Sequence, residues 1–132
     1  MRRTGSLADA KPVMVICTRD RERAAAFYRD TLGLSLICED DLAAVFSLGG
    51  VTLRVSAVAD FVPHQHTIFG FQVSDVDATV RDLRDKGVGF RRYPGFSQDE
   101  LGILTVPGRD VRVAWFEDPD GNVLSVTNAA MD

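Results

Sequence analysis

The stretch VMVICTRDRERAAAFYRDTLGLSLICE, residues 13–39, reads as strand, helix and strand in succession. VMVICT, residues 13–18, is a short continuous apolar run with β-branched residues, the pattern of a strand buried on both faces. Asp20 then offers a side-chain cap. Ala24, Phe27, Tyr28 and Leu32 fall on one helical face, and Gly33 supplies a left-handed stop, so a helix is expected over about residues 20–32. LSLICE (34–39), AAVFSL (43–48) and VTLRVS (51–56) follow as strand-like runs, broken by acidic residues at 39–41 and by Gly49-Gly50. The unit is one strand, one helix and three strands.

After the connection AVADFVPHQH (57–66) the same order begins again. TIFGFQV (67–73) reads as a buried strand and SDVDATVRDLRDKG (74–87) as a helix over about 75–86, with Val76, Val80 and Leu83 as its apolar stripe. Ser74 with Asp77 has the form of a capping box, and Gly87 ends this helix as Gly33 ends the first. FRRY (90–93), GILTV (102–106), VRVAWFE (111–117) and NVLSVTN (122–128) supply further strand candidates, with DPDG at 118–121 as a turn. Val13 precedes Asp20 at the same spacing at which Ile68 precedes Asp75. AVF at 44–46 parallels AWF at 114–116, and LRV at 53–55 parallels LSV at 124–126. Self-similarity at half the chain length marks a duplicated unit. The expected fold is α+β, one domain over 1–132 made of two βαβββ modules at about 12–58 and 66–128.

The composition bounds the function. With 132 residues, 45% hydrophobic and 26% charged, the chain can bury a core without staples. Fifteen Lys and Arg against nineteen Asp and Glu, a formal net charge of -4, give no overall pull toward nucleic acid or an anionic membrane. The start, MRRTGSLADAKP, has two arginines with no apolar run behind them, and no segment has the length of a membrane span. A cytoplasmic location is expected, and with it no disulfide. Cys17 and Cys38 read as small hydrophobes in strands; a reactive thiol at Cys17 is the alternative, with Arg19 as its one nearby cation. No glycine-rich phosphate loop, Cys-x-x-Cys pair or Gly-x-Ser-x-Gly elbow is present.

AAFYRDTLGL (25–34) behind the first strand, VSDVDATVRDLRDKGV (73–88) behind the second, and AWFEDPDGNVLSV (114–126) carry a resemblance. In this order and spacing the chain resembles the vicinal oxygen chelate superfamily of glyoxalases, bleomycin resistance proteins and extradiol dioxygenases, over most of residues 13–127. The resemblance implies that the modules' strands form a curved mixed sheet, a cup, with helices on its outer face. It implies a homodimer as well, sometimes with the cup built from two chains. The family's metal chemistry uses His or Glu at inward positions of four strands, which fall here on Val13, Arg54, Ile68 and Ser125. Two aliphatics, a cation and a hydroxyl do not make a divalent-metal site. No metal cofactor is therefore expected. The alternative is Zn, Fe, Ni or Mn held by His66 and carboxylates such as Glu39, Glu100 or Glu117.

Strand alternation adds Val15, Cys17, Thr52, Ser56, Gly70, Gln72, Val123 and Thr127 to the lining. Gln72 and Ser125 can hydrogen-bond a ligand, and Gly70 leaves room for one. Arg54 can grip a carboxylate, phosphate or enolate, or be neutralised by Glu39 or Glu117. His66, near the mouth, is a candidate general acid or base. His64 and His66 form an H-x-H pair that could begin a metal site. YPGFSQDELG (93–102) reads as a long lid or binding loop in which Phe96 covers a ligand, the alternative being that Phe96 and Leu101 plug the sheet's end or a dimer contact. The leading expectation is metal-independent binding of a small anionic or oxygen-rich metabolite or drug, by sequestration or acid-base chemistry. The alternatives are a metal-dependent lyase, isomerase or dioxygenase using His66, and a non-catalytic regulatory module.

Overall fold

In the computed structural model, which describes residues 7–129, the chain divides between Phe61 and Val62 into two compact units. Arg2 and Arg3, noted above, lie outside the described residues.

The first unit holds β1 (Val13–Thr18), α1 (Arg21–Ala26), β2 (Ser35–Glu39), β3 (Ala43–Leu48) and β4 (Val51–Ala57), with sheet order β1-β4-β3-β2. β1 runs parallel to β4, and the other pairs are antiparallel. Asp20 caps α1 by accepting a hydrogen bond from the Arg23 N–H at 3.1 Å. α-Helical winding ends at Ala26, and Phe27–Thr31 continue as a π turn in which Leu32 N–H donates to Phe27 O at 3.0 Å. Gly33, at φ 75°, then reverses the chain. Ala24, Ala25 and Tyr28 pack on Phe46, Leu53 and Val55, and all six are buried.

The second unit holds β5 (Thr67–Gln72), α2 (Val76–Asp85), β6 (Leu104–Thr105), β7 (Arg112–Glu117) and β8 (Val123–Thr127), in the order β5-β8-β7-β6. β5 is parallel to β8, so the strand-helix-strands plan repeats. Asp75, rather than a Ser74–Asp77 box, caps α2, accepting from Ala78 N–H at 3.0 Å; Asp77 instead pairs with Arg112. Val76, Val80 and Leu83 are buried in the same core as Ala114, Phe116, Leu124 and Val126.

Three strand expectations are corrected. β1 is buried on one face only, Val13 and Val15 being 56% and 59% exposed while Ile16 is buried, and no residue of β5 is fully buried. FRRY forms a single bridge, Phe90 to Phe116, and GILTV contributes just Leu104–Thr105. The reason is capture of the backbone by side chains. Gln98 accepts from Tyr93 N–H at 2.7 Å and donates to the Arg91 and Gly102 carbonyls at 2.8 and 2.9 Å. Asp99 accepts from Leu101 and Ile103 N–H, both at 2.9 Å.

DPDGN closes β7 onto β8. The Asp118 carboxylate accepts from Asp120 N–H and Asn122 N–H at 2.9 Å and from Asn122 Nδ2 at 2.8 Å, while Gly121 takes φ 92°. Among the described residues, no helix is long and apolar enough to cross a membrane.

Candidate functional site

In the first unit the face away from α1 is built from rows fixed by strand register: Val13–Thr52–Ser47, Val15–Arg54–Val45 and Cys17–Ser56–Ala43. Val13, Thr52 and Arg54 are thus brought together as alternation requires. Arg54 is half-buried. Among the described residues it makes no hydrogen bond or ion pair, and the two carboxylates named as its possible partners are engaged elsewhere. Glu39 pairs with Arg21, and Glu117 with Arg91 at 3.4 Å.

Asp40 is the carboxylate that feels Arg54 without pairing to it. Its carboxyl is held below the ordinary range, first by the Leu42 N–H at 2.8 Å and the Ala43 N–H at 2.9 Å, then by attraction to Arg54 and Arg21. A carboxyl depressed on folding contributes stability above its unfolded value, and that contribution fades as pH falls through the folded one. The stability difference between the wild type and Asp40→Asn is therefore expected to be constant near neutral pH and to shrink below about pH 3.8, in denaturant titrations run across the acid range. A difference that stays flat down to the acid transition would contradict this.

In the second unit the corresponding face carries the rows Gly70–Ser125–Trp115, Gln72–Thr127–Val113 and Thr67–Val123–Glu117. Ile68 stands in a β-bulge, where the β5–β8 register shifts between Thr67 and Phe69, so it belongs to none of these rows. The room expected over Gly70 is taken: a β-carbon there would stand 2.1 Å from Ser125 Oγ. Gln72 Nε2 donates to the Ala129 carbonyl at 2.7 Å, which occupies its amide locally. Val123 is fully buried rather than lining. His64 and His66 are both exposed, their ring centroids 5.0 Å apart.

The loop at 93–102 is pinned by Gln98 and Asp99 as described above, and it presents Phe96, 50% exposed, to Tyr93 and Trp115. Trp115 and Tyr93 are absent from the sequence-based candidates. Alternation along VAWF, which buries Ala114 and Phe116, carries the signal that turns Trp115 to the Ser125 face.

Val13, Arg54, Ile68 and Ser125 offer one hydroxyl between them as a donor, and this set does not fit a divalent ion. Among the described residues no group of three or more His, Cys, Asp or Glu is arranged to hold one.

A family model described as Glyoxalase/Bleomycin resistance protein/Dioxygenase superfamily matches residues 11–126. The chain is 26% identical over 117 residues to a protein of Staphylococcus haemolyticus named metallothiol transferase FosB, covering 83% of this chain and 76% of that one. Among solved structures, a glyoxalase family protein from Bacillus anthracis superposes with a TM-score of 0.70 at 19% identity, covering 96% of this chain and 98% of the other. The fosfomycin resistance protein FosX from Listeria monocytogenes superposes with a TM-score of 0.73 at 13% identity, covering 93% and 95%.

Proposed function

Because the chain belongs to the glyoxalase/bleomycin resistance protein/dioxygenase superfamily, we propose that it binds a small anionic or oxygen-rich metabolite or drug through Arg54, without a metal. The observation that carries this is the half-buried guanidinium whose candidate internal partners, Glu39 and Glu117, are paired with Arg21 and Arg91. A guanidinium drawn partly out of water favours an anion that can accept its forked N–H groups. Thr52, one strand row away, is a further hydrogen-bonding group for that ligand. The ligand is sequestered or turned over by acid-base chemistry, for which His66 is the candidate proton carrier. Homodimerisation and a cytoplasmic location belong to the same reading.

A second reading is favoured by the name of the Staphylococcus haemolyticus relative, a metallothiol transferase: metal-dependent group transfer. Elemental analysis of the purified protein, with thermal melting before and after a chelator, separates the two. The expected result is no stoichiometric metal, a melt indifferent to chelator, and an upward shift with acetate, phosphate or fosfomycin, since a ligand at a hundred times its Kd stabilises by about 2.7 kcal/mol. A stoichiometric metal with a chelator-sensitive melt would establish the second reading. A melt that no small ligand moves would point to a non-catalytic regulatory module.

A further inference from the structure

Trp115 is the one tryptophan in the chain, and it stands in a row of steeply falling height: indole on β7, the Ser125 hydroxyl on β8, and no side chain at Gly70 on β5. Within this row the indole is followed by nothing taller than a hydroxyl, and the row forms a step. Phe96 and Tyr93 complete its wall. Phe96 lies 5.7 Å from Trp115 at an interplanar angle of 34°, and Tyr93 meets Trp115 edge-on at 5.2 Å and Phe96 at 5.8 Å. Phe96 stays half exposed on a loop that Gln98 and Asp99 hold through five hydrogen bonds. The aromatic wall is thus built before any ligand arrives, so little ordering entropy opposes binding. Arg91, 5.3 Å over the Tyr93 ring, is paired with Glu117 at 3.4 Å. Ser125 Oγ makes no hydrogen bond among the described residues.

We propose that this step binds a planar ring bearing an oxygen substituent, the ring packed against Trp115 and Phe96 and the oxygen bonded to Ser125 Oγ. Aromatic walls prefer a flat ring to a saturated one of equal size because offset and edge-on contacts add to area burial, and the free hydroxyl favours a ligand with a polar atom at the step's foot. The proposal names the ligand class for the superfamily reading above and rests on it, but it makes no use of Arg54.

The indole N–H of the single tryptophan gives one resonance that reports on this site. In nitrogen-15-labelled protein, 2-naphthol is expected to move that resonance saturably, and its saturated analogue decahydro-2-naphthol to bind roughly tenfold more weakly. Phe96→Ala and Ser125→Ala should each weaken 2-naphthol several-fold, with the remaining amide spectrum showing that both variants fold. Phe96→Leu, which keeps the apolar bulk, should not restore the preference for the aromatic probe. Equal affinity for the two probes, no saturable shift with 2-naphthol, or an indole resonance that moves with dilution of the unliganded protein would overturn the proposal; the last would show the wall facing a second copy. In Arg54→Met, 2-naphthol binding is expected to persist. If acetate and phosphate binding also persist there, the anion reading fails while the ring site stands.

Discussion

Arg54→Met is expected to weaken binding of a small carboxylate or phosphate by about 2–5 kcal/mol, the range found when one member of a desolvated charge pair is removed. The same substitution should leave the free protein as stable as before, or stabilise it. A guanidinium with a structural partner would strand that partner on removal, at a cost of about 3–5 kcal/mol for a buried pair. Here Glu39 keeps Arg21 and Glu117 keeps Arg91, so no carboxylate is stranded. Asp40 loses one distant attraction and retains its two backbone donors. Methionine keeps most of the aliphatic stem that packs between Val15 and Val45 in the strand row. Arg54→Lys should recover part of the affinity, since an ammonium cannot reproduce the planar fork. Calorimetric titration and denaturant unfolding on both variants check this. A destabilised Arg54→Met with unchanged affinity would show a structural ion pair instead of a binding group.

Asp118→Ala should lower the stability of the second unit by about 3–5 kcal/mol, with little change for a conservative substitution at the exposed Pro119. The carboxylate is 5% exposed and accepts from three donors, two backbone and one side-chain, all within a buried turn. Each buried donor left unsatisfied costs about 1–3 kcal/mol, and bonds to a charged acceptor lie at the upper end. Asp118→Asn keeps one carbonyl acceptor and should lose about half as much. Urea denaturation monitored by Trp115 fluorescence reads this directly, because that residue lies on β7, the strand the turn closes. A loss under about 1 kcal/mol would mean that water replaces the carboxylate in the turn.

Local signals made most of the fold legible. Asp20 announced the first helix start and Gly33 and Gly87 both stops, because capping and positive φ are decided within a few residues, whereas the cap of the second helix was read as a Ser74–Asp77 box and is Asp75. AAVFSL coincides with β3 since its apolar pattern and the flanking glycine turn agree. The misses involve partners distant in sequence or choices that periodicity does not resolve. A five-residue π turn at Phe27–Thr31 presents the same apolar face as an α-helix would. The bulge at Ile68 depends on β8, and it removes that residue from the rows although its spacing from Asp75 copies that of Val13 from Asp20. FRRY has the composition of a strand, yet Gln98 takes the hydrogen bonds a ladder would need. In the site, alternation placed Arg54, Thr52 and Ser125 on faces turned from the helices. It could not show that Ser125 fills the space over Gly70 or that Gln72 bonds the Ala129 carbonyl. Trp115 was readable by the same alternation, and what hid its importance was that Tyr93 and Phe96 reach it from a loop.

The parallel pairing of β1 with β4, mirrored by β5 with β8, governs the order in which each unit can assemble. β2, β3 and β4 join through short turns, so their contacts close over few residues and cost little chain entropy. β1 meets β4 only after the helix and two further strands have been threaded between them, which makes that pairing the non-local and slower step. Until it closes, Val13–Thr18, apolar over most of its length and free of charge or proline, waits without its neighbour. Such a segment is the part of a folding chain that finds the same partner on another molecule, and so the topology that presents Arg54 also sets the concentration at which refolding gives way to aggregation.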